Sequence, residues 1–152
     1  DRVELSVNYV YTHFKYKDYK TVINTPGGNV SVNYSDNYVP SYPQHIVNFI
    51  LNYEWYISKN LNGLLQFDCD YVATMYVDDD NIKSTSPYFY SNPLAGLNFT
   101  YENLNILAFV GAYNVFDKKY VGYVNINDYY GRYYNTGEPR NVYGGLHIIY
   151  NL

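Results

Sequence analysis

The sequence predicts an all-β fold, an antiparallel transmembrane β-barrel segment of about six strands arranged as three hairpins. Three observations predict it. Apolar and polar residues alternate with period two through most of six segments, as half-buried strands do. Aromatic residues make up 20% of the 152-residue chain, with 23 Tyr, 7 Phe and 1 Trp, and such side chains favour strands. The connections between segments alternate between short and long.

The first segment sets Val3, Leu5, Val7, Tyr9 and Tyr11 against Glu4, Ser6, Asn8, Val10 and Thr12. The second sets Val47, Phe49, Leu51, Tyr53 and Trp55 against Asn48, Ile50, Asn52 and Glu54. The third runs Leu65, Phe67, Cys69, Tyr71, Ala73, Met75 on one side and Gln66, Asp68, Asp70, Val72, Thr74 on the other. The fourth, from Phe89 to Tyr101, sets Ala95, Leu97 and Phe99 against Asn92, Gly96 and Asn98. The fifth, from Leu104 to Tyr113, is apolar on both sides and leaves its orientation open. The sixth sets Val142, Leu146, Ile148, Tyr150 and Leu152 against Asn141, Tyr143, His147 and Asn151.

Most segments exceed the five or six residues usual in soluble proteins and match the ~9–11 residues of a tilted membrane strand. Long connections follow the first segment (residues 15–44) and the fifth (116–139), and a medium one follows the third (77–87). Tight turns fall near Lys59-Asn60 and Glu102-Asn103. In outer-membrane barrels the short turns lie in the periplasm and the long loops outside the cell. Six strands cannot close such a barrel, because an open edge in lipid leaves backbone groups unpaired. The chain is therefore expected to belong to a larger barrel.

Composition narrows the function classes. A formal charge of −4 gives no basic face for nucleic acid. Cys69 is the lone cysteine, which excludes an intrachain disulfide and a cysteine-based zinc cage. No run of about 18 apolar residues exists for a membrane helix. No basic–apolar leader opens the chain, so for an outer-membrane protein an upstream part is expected to be missing or removed.

Three stretches resemble the TonB-dependent receptor family. The run Asn37-Tyr38-Val39-Pro40-Ser41-Tyr42-Pro43-Gln44-His45, preceded by Gly28-Asn29 and followed by Val47-Asn48, resembles the family's approach to a late barrel strand, with Tyr38 where Arg is common. Tyr113-Asn114-Val115-Phe116-Asp117-Lys118-Lys119-Tyr120 resembles the end of its penultimate strand. Glu138-Pro139-Arg140-Asn141-Val142-Tyr143-Gly144-Gly145-Leu146 resembles the run into its last strand. The resemblance implies that residues 1–152 are the C-terminal part of a 22-stranded barrel, without its plug domain and TonB box. It implies a place in the bacterial outer membrane and active uptake of a scarce solute, an iron–siderophore chelate being the commonest. The implied partners are the plug, the remaining strands, the TonB complex, the lipid bilayer, the barrel-assembly machinery and the small-molecule ligand. Leu146, Ile148, Tyr150 and Leu152 fit the C-terminal pattern that the assembly machinery reads, although the family usually ends in Phe or Trp.

Candidate chemistry is sparse. The last long loop carries Tyr129, Tyr130, Arg132, Tyr133 and Tyr134. Tyrosine offers broad contact at low entropy cost and Arg a forked donor, so these are the candidate ligand contacts. The bland alternative, loop-on-loop packing or an interfacial girdle, weighs equally. Asp78, Asp79 and Asp80 lack the spacing of a calcium loop and read as a solvated turn. Asp68 and Asp70 read as residues of a wet lumen rather than an acid–base pair. His13, His45 and His147 lie far apart in sequence, so no metal site is expected. Cys69 reads as a buried or lipid-facing thiol. No catalytic residue, cofactor or enzymatic activity is expected. The rival function is a soluble, Tyr-rich β-sandwich or lipocalin-like binding protein, in which the apolar rows would point inward.

Overall fold

The computed structural model describes residues 1–128 and 130–151, so the expectations for Tyr129 and Leu152 lie outside the described residues. These residues form ten strands: β1 (Arg2–Tyr11), β2 (Lys20–Thr25), β3 (Gly28–Asn33), β4 (His45–Ser58), β5 (Leu61–Val72), β6 (Tyr88–Tyr101), β7 (Leu104–Tyr113), β8 (Val121–Val124), β9 (Tyr134–Thr136) and β10 (Asn141–Tyr150). Six of them make one antiparallel sheet in the order β1-β4-β5-β6-β7-β10. The sheet is open, with β1 and β10 as its edges. The hairpins β2–β3 and β8–β9 sit within the two long connections.

Register turns the alternating sequence into two unlike faces. Val7 pairs with Phe49, Phe49 with Cys69, and Cys69 with Ser91, so these side chains share one face. Val110 lies opposite both Ala95 and Gly144, which orients β7: Ile106, Ala108 and Val110 join that apolar face. No Asp, Glu, Lys or Arg of the six strands lies on it. The five that exist, Arg2, Glu4, Glu54, Asp68 and Asp70, all fall on the opposite face. Cys69 and Ser91, polar groups in the middle of the apolar face, satisfy each other, the thiol donating to Ser91 Oγ at 3.4 Å.

Neither face of the sheet is covered by another strand among the described residues. Leu5 on β1 is 58% exposed and Leu146 on β10 is 70% exposed. The apolar rows therefore do not pack against a second layer, as a sandwich requires. The small buried core lies instead in the loops at one end of the sheet. There Met75, Val77 and Val124 pack together, flanked by Val121 and Tyr133.

Three features depart from the sequence reading, one of them the short β8–β9 hairpin in the last long connection. The third segment leaves the sheet at Val72, and Ala73 and Met75 turn into the loops as buried residues. Backbone partners explain the departure: Met75 N–H donates to Thr85 Oγ1 at 3.1 Å, and Thr85 N–H donates to the Met75 carbonyl at 2.8 Å. The first long connection also contains a regular hairpin, in which Val22 pairs with Ser31 across a turn at Pro26-Gly27.

Candidate functional site in the loop layer

The loop layer is assembled by groups that local sequence patterns do not reveal. Asp78 to Asp80 form the expected turn and Asp80 is exposed, but Asp79 is buried and ties the medium connection to both long ones. Its carboxylate accepts hydrogen bonds from the hydroxyl of Tyr16 at 2.6 Å, the Asn127 amide at 2.7 Å and the Tyr19 hydroxyl at 3.3 Å. Its backbone N–H donates to Asn127 Oδ1 at 3.0 Å, and its carbonyl accepts from the Asn37 amide at 2.7 Å. A buried carboxylate is tolerated only when bonded in this way. Burial first, and then the bond to Asp79, push the Tyr16 phenol well above its ordinary pKa.

The stretches that carried the family resemblance act here as clamps. Asn114, buried and in a left-handed backbone conformation, donates its amide to the carbonyls of Lys118 and Glu138, both at 2.9 Å. Its Oδ1 accepts from the Lys118 N–H at 2.8 Å. Asp117 accepts from the Arg140 N–H at 3.1 Å. The two ends of the last long loop are thereby tied together at its base. In the first loop, Tyr38 and Asn81 exchange two bonds, at 2.7 and 2.9 Å, beside the fully buried Pro40. These motifs hold loops in place rather than supply reactive groups.

Two cavities of opposite charge open among the clamped loops. One, of about 540 Å³, is bounded by Ser84 to Pro87, Tyr88, Lys118, Lys119, Tyr120 and Tyr134. Tyr120 stacks on Tyr88 and Tyr90 with centroids 4.5 and 5.2 Å apart, and its ring lies against Gly137, where any Cβ would collide with it. The second, of about 370 Å³, is acidic, with Asp78, Asp79, Asp80 and Asp128 beside Tyr34 and Tyr133. Burial and then the neighbouring aspartates raise the Tyr34 phenol. Burial and Asp80 raise the Asp78 carboxyl, whose buried Oδ1 has no hydrogen-bond partner among the described residues.

The candidate contacts of the last loop are divided rather than gathered. Tyr130 is 79% exposed, with the Arg132 guanidinium 5.8 Å from its ring. Tyr133 packs on the small core and carries the Lys83 ammonium 4.9 Å from its ring, beside the acidic cavity. Tyr134 lines the basic cavity and donates to the Ser84 carbonyl at 3.4 Å. The sequence reading missed Lys118, Lys119, Tyr120 and Tyr88 as a group. Stacking of residues some thirty positions apart leaves no local signal.

Elsewhere, Leu146, Ile148 and Tyr150 stand exposed along the apolar face of the edge strand β10. Asp68 and Asp70 share the Asn48 amide, at 2.8 and 3.1 Å, on the polar face. Asn48 Oδ1 in turn accepts from the Asn8 amide at 3.2 Å, which extends the ladder to β1. Among the described residues no cluster of three or more His, Cys, Asp or Glu is arranged to hold a metal.

The fold and loops define an all-β antiparallel meander with short turns at one end and an ordered loop layer at the other. No protein-family model matches the chain. Among solved structures it is similar to BauA, the ferric preacinetobactin receptor from Acinetobacter baumannii, at 14% sequence identity and a TM-score of 0.63. The match covers 80% of this chain and only 18% of that receptor. At that identity the likeness is one of fold.

Proposed function

We propose that the chain is the C-terminal part of the wall of a TonB-dependent outer-membrane receptor that takes up an iron–siderophore chelate. The observation that carries this reading is the apolar face, uncharged across six strands and uncovered by any other strand. In water such a face would be an association surface. In a bilayer it is what a barrel presents to hydrocarbon, where a central Arg or Lys costs ~2–4 kcal/mol. The ladder pairs the backbone groups of the interior strands, as lipid demands, and the open edges of β1 and β10 call for the receptor's remaining strands.

The aromatic residues support the same reading. Toward the loops the apolar face ends in Tyr9, Tyr11, Tyr71 and Phe89. Toward the turns it ends in Tyr53, Trp55, Tyr101 and Tyr150. The run from His45 to Trp55 spans ~34 Å along the strand, or ~25 Å of depth at the usual tilt, the height of an outer-membrane apolar band between its aromatic girdles. Under this reading the polar face meets the plug and water, the loops form part of the outer vestibule, and energy comes from TonB.

The ligand class rests on the fold likeness to a ferric–siderophore receptor and on the basic cavity. Lys118 and Lys119 beside phenol rings suit an anionic, partly aromatic chelate. The test is equilibrium binding of ferric catecholate, hydroxamate and carboxylate chelates to the full natural protein. Replacing Lys118, Lys119 and Tyr120 together by alanine is expected to weaken one chelate class by about tenfold or more. Unchanged affinity across all three classes removes the ligand assignment.

A further inference from the structure

The sequence spaces His13 and His45 far apart, yet the fold gathers them at the loop end of the apolar face. The Tyr9 hydroxyl lies 2.8 Å from His45 Nδ1, and the Tyr11 hydroxyl 3.2 Å from His13 Nδ1. The Tyr11 and His45 rings stack with centroids 5.3 Å apart. His13 meets Tyr38 edge-on at 5.6 Å, and the Lys15 ammonium stands 4.5 Å from the same Tyr38 ring. A cavity of about 220 Å³ between His45, Tyr71 and Tyr76 adjoins the group.

We propose that this cluster binds the phosphate group of a membrane lipid at the outer rim of the wall. In the tautomer that the proposal requires, each phenol donates to Nδ1 and the imidazole keeps its N–H on Nε2, turned to an acceptor. With the Lys15 ammonium, that tautomer gives the cluster one cation and two ring N–H donors. No carboxylate of the described residues lies within ion-pair distance of His13, His45 or Lys15. Tyr9, Tyr11 and His45 belong to the uncharged face, so what abuts them in a bilayer is lipid. A phosphate is the acceptor that lipid offers at headgroup depth, and charge-assisted bonds to it are among the strong ones. The adjoining cavity gives the headgroup a recess beside His45. The inference rests on the membrane reading and adds a headgroup preference that this reading does not require.

The test uses the full natural protein in detergent, titrated by native mass spectrometry with phosphatidic acid, phosphatidylcholine and inorganic phosphate. Retention of phosphatidic acid over phosphatidylcholine by about tenfold is expected, and His13→Gln with His45→Gln should abolish that preference. Gln keeps a polar side chain of similar reach, and Lys15→Gln serves as a second variant outside the six-stranded sheet. Equal retention of both lipids, or a preference that survives all three changes, overturns the inference while leaving the membrane reading intact. Inorganic phosphate held as tightly as phosphatidic acid also overturns it, in favour of a free-anion site. A protein that retains no lipid at all instead brings down the membrane reading beneath it.

Discussion

The sheet and the loop layer are held together by different physics. In the six-stranded sheet, Ser91 is the one buried residue that is not glycine. Its strands are joined by backbone bonds and by same-face neighbours, and its apolar rows remain exposed or half-buried. In the loops, by contrast, Met75, Val77, Val124, Asp79, Thr85 and Asn114 are all buried. The loop layer carries its own small core and satisfied polar hub, as a soluble domain does. The sheet depends on whatever meets its apolar face. Destabilising changes should therefore depend on the surroundings in the sheet and on internal contacts in the loops.

The sharpest break of that contrast is Leu51→Arg set against Asn52→Arg, adjacent residues at one depth on opposite faces. In lipid vesicles the first is expected to cost ~2–4 kcal/mol of unfolding free energy, and the second little, with Glu4 directly across the strand pair. Equal costs, measured by denaturant titration of the full protein, would remove the difference between the faces.

Next in size is Asp79→Ala, which strips the carboxylate from Tyr16, Tyr19 and Asn127. Leaving such donors unpaired costs ~1–3 kcal/mol. Hydrogen exchange should quicken in residues 15–44, 77–87 and 116–139 and stay unchanged in β4 to β7. Acceleration throughout the sheet would mean that the two regions are not separate.

The smallest effect concerns Asp78, raised above its ordinary value of 3.8 by burial and by Asp80. A raised carboxyl favours the folded loops fully below the ordinary value, and that contribution is lost as pH climbs through the raised one. Asp78→Asn should therefore strengthen exchange protection of the loops at neutral pH and make no difference near about pH 3. Stabilisation of the same size at both pH values would contradict the cause given for the shift.

The two regions also differ in how far the sequence reveals them. A period-two row is a local signal, so Val3 to Tyr11 and Val47 to Trp55 already define a strand pair and its faces. Strand β7 is ambiguous in sequence because Leu107 and Phe109 make its second side apolar too, and only register with β6 and β10 fixes its faces. The hairpin β2–β3 carries a local signal, Pro26-Gly27 between two short segments, that is easily lost inside the long connection of residues 15–44. Strands β8 and β9, four and three residues long, are too short for periodicity to register. The burial of Asp79 has no local signal because its partners lie 42 to 63 residues away. Polar hubs of that kind are set by tertiary geometry, and the candidate contacts Tyr130, Arg132, Tyr133 and Tyr134 were dispersed for the same reason.

The central claim is that the uncharged side of the sheet lies against hydrocarbon. Nitroxide labels placed singly at Leu5, Ser6, Val7 and Asn8, with Cys69→Ser, read this directly in the full protein reconstituted in bilayers. Collisions with dissolved oxygen should dominate at Leu5 and Val7, and collisions with a water-soluble nickel chelate at Ser6 and Asn8. Labels at Leu5 and Val7 that meet the nickel chelate, or that are shielded from both reagents, would contradict the account.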